Sequence, residues 1–465
     1  MKRTAVINIV GLCAAALGPG TPRLNAFIQK GSLRRIDPAF PAVTCTAQSD
    51  YLTGAPPSVH GIVGNGWHNR EMAEVQFWKQ SNHLVASRKI WDDLRALNPD
   101  FTCAKLFWWY NMYSTADFSI TPRPMYPADG RKVFDIYTWP FSIRTDIKKD
   151  LSEFPFPSFW GPAAGLQSPQ GAPDAVSRWI AESAKWIEKK HEPTLSLVYL
   201  PHLDYNLQRY GPQDWRVAED YQRIDAIAGD LIAFFEQRGV QPLIVSEYGI
   251  SEASSPIHLN RAFREHGLLA IKEELGLELL DAGASRAFAV ADHQIAHVYV
   301  NDPECGAEVR RLLEKQPGVA EVLGPEEKKA RGIDHPRAGD FIAVAADRAW
   351  FTYYYWLDDA IAPDFARCVD IHRKPGYDPV ELFLDPEQRL VKLKIAYRLL
   401  QKKLGFRMLM DVIPLDATLV KGTHGKRPAD LKEHPVFISP LPGSGQSAPL
   451  KSTDVYGEIR RHVLG

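Results

Sequence analysis

Short apolar runs alternating with longer segments of helical period constrain this chain most. Ala5–Val10, Leu195–Leu200 and Pro242–Val245 are near-continuous apolar stretches of strand length. Such runs belong to strands covered on both faces, as in a parallel sheet. Between them Thr21–Lys30, Thr44–Thr53, Lys89–Leu97, Asp174–Lys189 and Tyr221–Gln237 read as helices. In the last, Ile224, Ile227, Leu231, Ile232 and Phe235 recur at helical spacing. Thr21 before Pro22 marks a helix start, and Gly31 marks its end. The alternation predicts an α/β fold with a mostly parallel sheet flanked by helices.

The rest of the chain is organised around that core. Cys103–Trp109 reads as a buried strand running into an aromatic loop. Residues 111–172, rich in Pro and aromatics, read as an ordered surface excursion near the site. Ala291–Val300 and Phe341–Ala345 read as strands beside a helix near Ala307–Lys315, a smaller inserted or cap region within about 290–360. Residues 384–406 read as one or two helices. The expected organisation is a catalytic core over 1–439 and a peripheral Pro/Gly/Ser-rich tail over 440–465.

Composition excludes several classes. With 45% hydrophobic and 24% charged residues the chain is globular, not disordered. A formal net charge of −1 gives no overall basic excess for a nucleic-acid polymer or an anionic membrane as main partner. Cys13, Cys45, Cys103, Cys305 and Cys368 are scattered, with no CxxC pair. That is neither a disulfide framework nor a zinc knuckle, and it points to a reducing, cytoplasmic setting. Met1-Lys2-Arg3 before an apolar run could be a signal peptide, but Asn8 interrupts the run and the first-strand reading is preferred. No apolar stretch is long enough to span a membrane. Oligomeric state is left open.

Ligands in open parallel sheets bind beyond the carboxyl ends of strands. Two strand ends carry polar clusters, Pro201-His202-Leu203-Asp204 through Gln208 to Gly211-Pro212, and Ser246-Glu247-Tyr248-Gly249. A third cluster, Lys421-Gly422-Thr423-His424-Gly425, lies near the C-terminus. Thr44 opens a helix, where unpaired N–H groups and the positive dipole end hold a phosphate and stabilise an alkoxide. The competing role for Thr44 or Thr46 is an N-cap.

The segment Phe40-Pro41-Ala42-Val43-Thr44-Cys45-Thr46, continuing through Thr53-Gly54 and His60-Gly61-Ile62 to Asn65, resembles the nucleophile turn of the nucleotide pyrophosphatase/phosphodiesterase branch of the alkaline phosphatase superfamily. The later clusters stand in the order of that branch's metal-ligand motifs. The resemblance implies an alkaline-phosphatase-like core and a metal-dependent hydrolase of phosphoric esters, of phosphodiester or nucleotide pyrophosphate type. It implies Thr44 as nucleophile, Asn65 toward phosphate, and Asp204, Glu247 and His424 as metal ligands; Thr46, in the same helical turn as Thr44, is a further candidate for binding substrate. Gln208 and Tyr248 occupy positions where the branch has His, and Val10 one where it has Asp, with Asn8 able to supply an oxygen instead. This oxygen-rich set suits one divalent ion, or Mn²⁺ or Mg²⁺, better than a pair of Zn²⁺ ions.

A second cluster, Asp370-Ile371-His372-Arg373-Lys374, offers further ligands. On a strand Asp370 and His372 share a face, and Arg373 and Lys374 would hold phosphate; the alternative is a surface ion-pair loop. Asp292, His293 and His297 form a weaker group, with His293 read as a core or supporting histidine and His60 as a turn residue. The runs Phe107–Tyr113 and Trp350–Trp356 are stacking walls or core. The expected partner is a small-molecule phosphate ester. Three alternatives stand: a phosphonate hydrolase, a catalytically weakened member that binds a phosphorylated or aromatic ligand, and an unrelated α/β enzyme with chance matches.

Overall fold

The computed structural model describes residues 1–160, 173–442 and 448–465. Its main sheet has the order Leu450–Lys451, Ser32–Asp37, Val436–Ser439, Gln241–Val245, Thr4–Ile9, Leu195–Leu200, Cys103–Leu106, Phe118–Pro122, Ile136–Trp139. The five strands from Gln241–Val245 to Phe118–Pro122 run parallel. Antiparallel pairings occur toward the two edges. The apolar runs seen in the sequence are the central strands, fully buried because helices cover both faces. The predicted helices form at Pro22–Lys30, Thr44–Thr53, Ile90–Leu97, Ala175–His191 and Ala218–Gln237.

Four strands, Ala287–Asp292, Ile295–Val300, Phe341–Ala345 and Val319–Leu323, form a separate antiparallel sheet with its own apolar core. Trp350, Phe351, Tyr353, Tyr354, Tyr355 and Trp356 are buried in that core, so this aromatic run is packing and not a stacking wall. The expected single strand Ala291–Val300 is a hairpin that turns at His293-Gln294, where His293 takes φ 60°. No Gly marks this turn, which is why the apolar pattern read as continuous.

Two organisational expectations are corrected. The 440–465 tail is not peripheral: Leu450–Lys451 pairs with Ser32–Asp37, and Val455, Ile459 and Val463 of the Val455–Leu464 helix enter the main core. Asp50 Oδ2 accepts from Ser452 Oγ at 2.6 Å, tying this segment to the Thr44 helix. The 111–172 excursion is partly core, since Phe118–Pro122 and Ile136–Trp139 extend the sheet; its residues 161–172 lie outside the described residues. No helix among the described residues is long and apolar enough to cross a membrane.

Candidate active site

The cleft lies beyond the carboxyl ends of the central strands, and Thr44, Asn65, Asp204, Tyr248, His293 and His424 all line it. Thr44 is the first helical residue, with Val43 as the N-cap. Its hydroxyl does not cap the helix but meets Tyr248 Oη at 3.2 Å. Tyr248 Oη in turn donates to Asp204 Oδ1 at 3.2 Å. A phenol has one hydrogen, so with that hydrogen on Asp204 the Thr44 hydroxyl is the donor to Tyr248. Burial pushes the Tyr248 hydroxyl well above its ordinary range and keeps it protonated.

Asp204 and Gln208 are four apart on the His202–Tyr210 helix and share a face, as their spacing implies. Gln208 Nε2 donates to Tyr377 Oη at 3.1 Å. Glu247 follows the Gln241–Val245 strand and is fully buried; its Oε1 accepts from Asn8 Nδ2 and Gln48 Nε2, each at 2.6 Å. Burial raises Glu247 to about 8 and Asp204 to about 6. Gly249 allows this turn, because a Cβ there would stand 1.9 Å from Glu433 O.

Four rings stack across the site. Tyr248 lies on His424 at 3.6 Å, His424 on His293 at 3.7 Å, and His293 on Tyr377 at 3.8 Å between centroids. His424 Nδ1 faces Ala42 O at 2.7 Å, and its Nε2 stands 3.9 Å from Asp204 Oδ1. Gln294 N donates to His424 O, which brings the cap hairpin onto the Thr423-His424-Gly425 segment. Gly425 takes φ 125°, and a Cβ there would press on Gln294 N at 2.9 Å.

Asn65 secures the start of the Thr44–Thr53 helix. Its Oδ1 accepts from Cys45 N at 3.0 Å, while its own N and Nδ2 donate to Asp292 at 2.8 and 3.1 Å. Burial raises Asp292 to about 6. His293 Nδ1 lies 2.8 Å from Asp292 Oδ1, and burial lowers His293 to about 3.

Other expected site residues lie elsewhere. Thr46 Oγ1 donates to Ile62 O inside the fold, a structural tie and not a substrate contact. Asp370 and His372 sit in a turn, so the alternation that would align them on a strand does not operate; neither lines the cleft. Asp370 pairs with Arg373 at 2.7 Å, and His372 Nδ1 faces Phe77 O at 3.4 Å. Lys374 is buried between Asp378 and Glu381, 2.7 Å from each, and is committed to them rather than to a phosphate. Asp378 and Glu381, by contrast, reach the cleft wall. His60 and His297 have both ring nitrogens engaged and are structural. Sequence reasoning passed over Tyr377, Trp78, Tyr199 and Gln48. Gln48 alone had a usable signal, one helical turn after Thr44 on the same face.

The donor set decides which metal arrangement fits. A zinc pair does not: the Gln208 and Tyr248 positions are spent in hydrogen bonds. Among the described residues no group of three or more His, Cys, Asp or Glu side chains is arranged as a metal centre. Yet Asn8 Oδ1, Glu247 Oε2 and His424 Nε2 are buried with no hydrogen-bond partner. No Lys or Arg is among the described residues lining the cleft. Unpaired buried acceptors beside two carboxylates fit one hard cation.

The solved structures that resemble this one include murine ectonucleotide pyrophosphatase/phosphodiesterase 5, at 13% identity and TM-score 0.58, covering 100% of this chain and 95% of that one. An inactive form of the murine protein is solved with AMP. Phosphonoacetate hydrolase from Sinorhizobium meliloti 1021, in complex with phosphonoformate, aligns at 14% identity and TM-score 0.62 over 99% of this chain and 96% of that one. At these identities the likeness establishes the fold. No curated protein matches the chain in sequence. The family model for type I phosphodiesterase / nucleotide pyrophosphatase matches residues 4–378. That span holds the Thr44 helix, Asn65, Asp204 and Tyr248, and it makes this chain a hydrolase of the type I phosphodiesterase / nucleotide pyrophosphatase family.

Proposed function

We propose that the chain hydrolyses a small-molecule phosphoric ester, of phosphodiester or nucleotide pyrophosphate type, through Thr44. The observation that carries this is the Thr44–Tyr248–Asp204 hydrogen-bond chain in the cleft. Thr44 Oγ1 attacks phosphorus, the Oγ–P bond forms and the bond to the leaving alkoxide breaks. The Thr44 proton passes to Tyr248 Oη as the Tyr248 proton moves to Asp204. The alkoxide takes a proton from solvent; water then attacks phosphorus and gives a proton to solvent, the Oγ–P bond breaks, and the proton on Asp204 returns through Tyr248 to Thr44 Oγ1. Asn65 fixes the first helical turn by accepting from Cys45 N, at a helix start whose remaining N–H groups and positive dipole end favour an anionic phosphoryl group.

The family generally depends on divalent metal. Asn8 and Glu247, whose Oδ1 and Oε2 are buried without a partner, are the residues that would hold one ion here, and when bound it would offset phosphoryl charge where no Lys or Arg is among the described residues lining the cleft. Trp78, Trp109, Phe159 and Tyr205 line the cleft and favour a substrate with a flat ring.

Hydrolysis of bis-p-nitrophenyl phosphate, a dinucleotide and phosphonoacetate, with Mg²⁺, Mn²⁺ or Zn²⁺ added, tests this reading. Turnover of a diester that disappears in Thr44→Ala supports it. Turnover of phosphonoacetate alone moves the assignment to carbon–phosphorus cleavage. A second reading, a weakened member that only binds, is favoured by the Gln208 and Tyr248 replacements. It predicts AMP binding with no turnover under any of these metals.

A further inference from the structure

The Val391–Lys403 helix is amphipathic in the reverse sense. Its one buried residue is Ile395. Leu393, Tyr397, Leu400 and Leu404 recur at i, i+4, i+7 and i+11 and form one stripe. That stripe points to solvent, opposite Ile395: the four residues are 64%, 58%, 52% and 64% exposed. Leu390 and Phe406 extend it at 72% and 65%. A helix that only completes the fold turns such a stripe inward.

The charge of the same segment is one-sided. Arg389, Lys392, Lys394, Arg398, Lys402, Lys403 and Arg407 fall within 19 residues, and no Asp or Glu occurs between Glu387 and Asp411. The chain as a whole carries a formal charge of −1, so the basic field is local. Lys394 and Arg398 turn back to Asp411, at 2.8 and 3.3 Å, and anchor the helix to the protein. Arg389, Lys392, Lys403 and Arg407 remain exposed beside the apolar stripe.

We propose that residues 389–409 dock on an anionic lipid surface. The leucines and aromatics enter the headgroup–acyl boundary while the flanking cations meet the headgroup charges. Self-association through this face would oppose two equally basic helices. The overall charge balance of the sequence conceals the surface, because acids elsewhere cancel the local excess.

Flotation of the full chain with phosphatidylcholine vesicles, with and without phosphatidylglycerol, tests the proposal. Anionic vesicles are expected to capture at least about tenfold more protein than neutral ones, and the difference should shrink with added salt. Two variants separate the contributions: Leu393→Ser with Leu400→Ser removes apolar area, and Lys392→Glu with Lys403→Glu reverses charge. All four side chains are exposed, so melting temperature should match wild type, and each variant should lose capture about tenfold. Equal capture by neutral vesicles, or none by either, overturns the proposal. So does a variant that lowers oligomeric size on gel filtration while vesicle capture stays the same, which would make the face a protein–protein surface.

Discussion

The ring of Tyr248 lies flat on the imidazole of His424, with centroids 3.6 Å apart and planes within 7°. The stack holds the Tyr248 hydroxyl where it meets both Thr44 and Asp204. Tyr248→Phe keeps the stack and removes only the hydroxyl. It should lower turnover by about 10²–10⁴-fold, with melting temperature changed by a few degrees at most. Steady-state kinetics and a thermal melt check this. Unchanged turnover would remove Tyr248 from the proton path.

Thr44→Ala should abolish esterase turnover, by about a thousandfold or more if covalent catalysis is the route. Its cost to stability should be small, because Val43 and not Thr44 occupies the N-cap. Rapid-quench detection of a phosphorylated protein in the wild type, absent in the variant, is the direct readout.

Asn65 joins the backbone of Cys45 to Asp292, and with it the Thr44–Thr53 helix to the hairpin of Ala287–Asp292 and Ile295–Val300. Asn65→Ala leaves buried partners unmatched and should destabilise the protein by about 1–3 kcal/mol. Turnover should fall as well, since the first helical turn loses its tether. Denaturant unfolding gives the first value, and a change under about 0.5 kcal/mol would contradict the linkage.

A single hard cation at Asn8 and Glu247 should raise the melting temperature of the chelator-treated protein, because binding only the folded state stabilises it. Mg²⁺ or Mn²⁺ is expected to act at least as strongly as Zn²⁺. Glu247→Gln keeps the shape but should weaken the shift. No shift with any of the three ions would argue against the cation reading.

His462 on the C-terminal helix is buried between Ser439 Oγ and Gln241 Oε1, each at 3.1 Å. Burial lowers it to about 4, against an ordinary value of 6.5. The unfolded chain therefore binds more protons between these values, and stability falls as pH drops from 6.5 toward 4. His462→Gln should remove part of that slope. Melting temperatures across this window check it, since other buried histidines contribute equally to both proteins. Identical slopes would show that His462 does not report on the docking of this helix.

Period is a local property, and the sequence carried it well; turns without Gly or Pro, such as His293-Gln294, it did not mark. The Thr44–Thr53 helix, the central strands and the i, i+4 pairing of Asp204 with Gln208 follow from spacing within a few residues. The motifs that mark Thr44, Asn65, Asp204, Glu247 and His424 are likewise short and ordered along the chain. Tertiary structure decided what crosses large sequence separations: the His293 ring against His424, Tyr377 against Gln208, and the tail helix in the main core. It also separated Asp378 and Glu381, which reach the cleft, from Asp370 and His372, which do not. Whether 370–374 is strand or turn depends on packing that no local period encodes. The physical reason is the same throughout: periodicity fixes which side of an element a residue takes, and only packing fixes what that side faces.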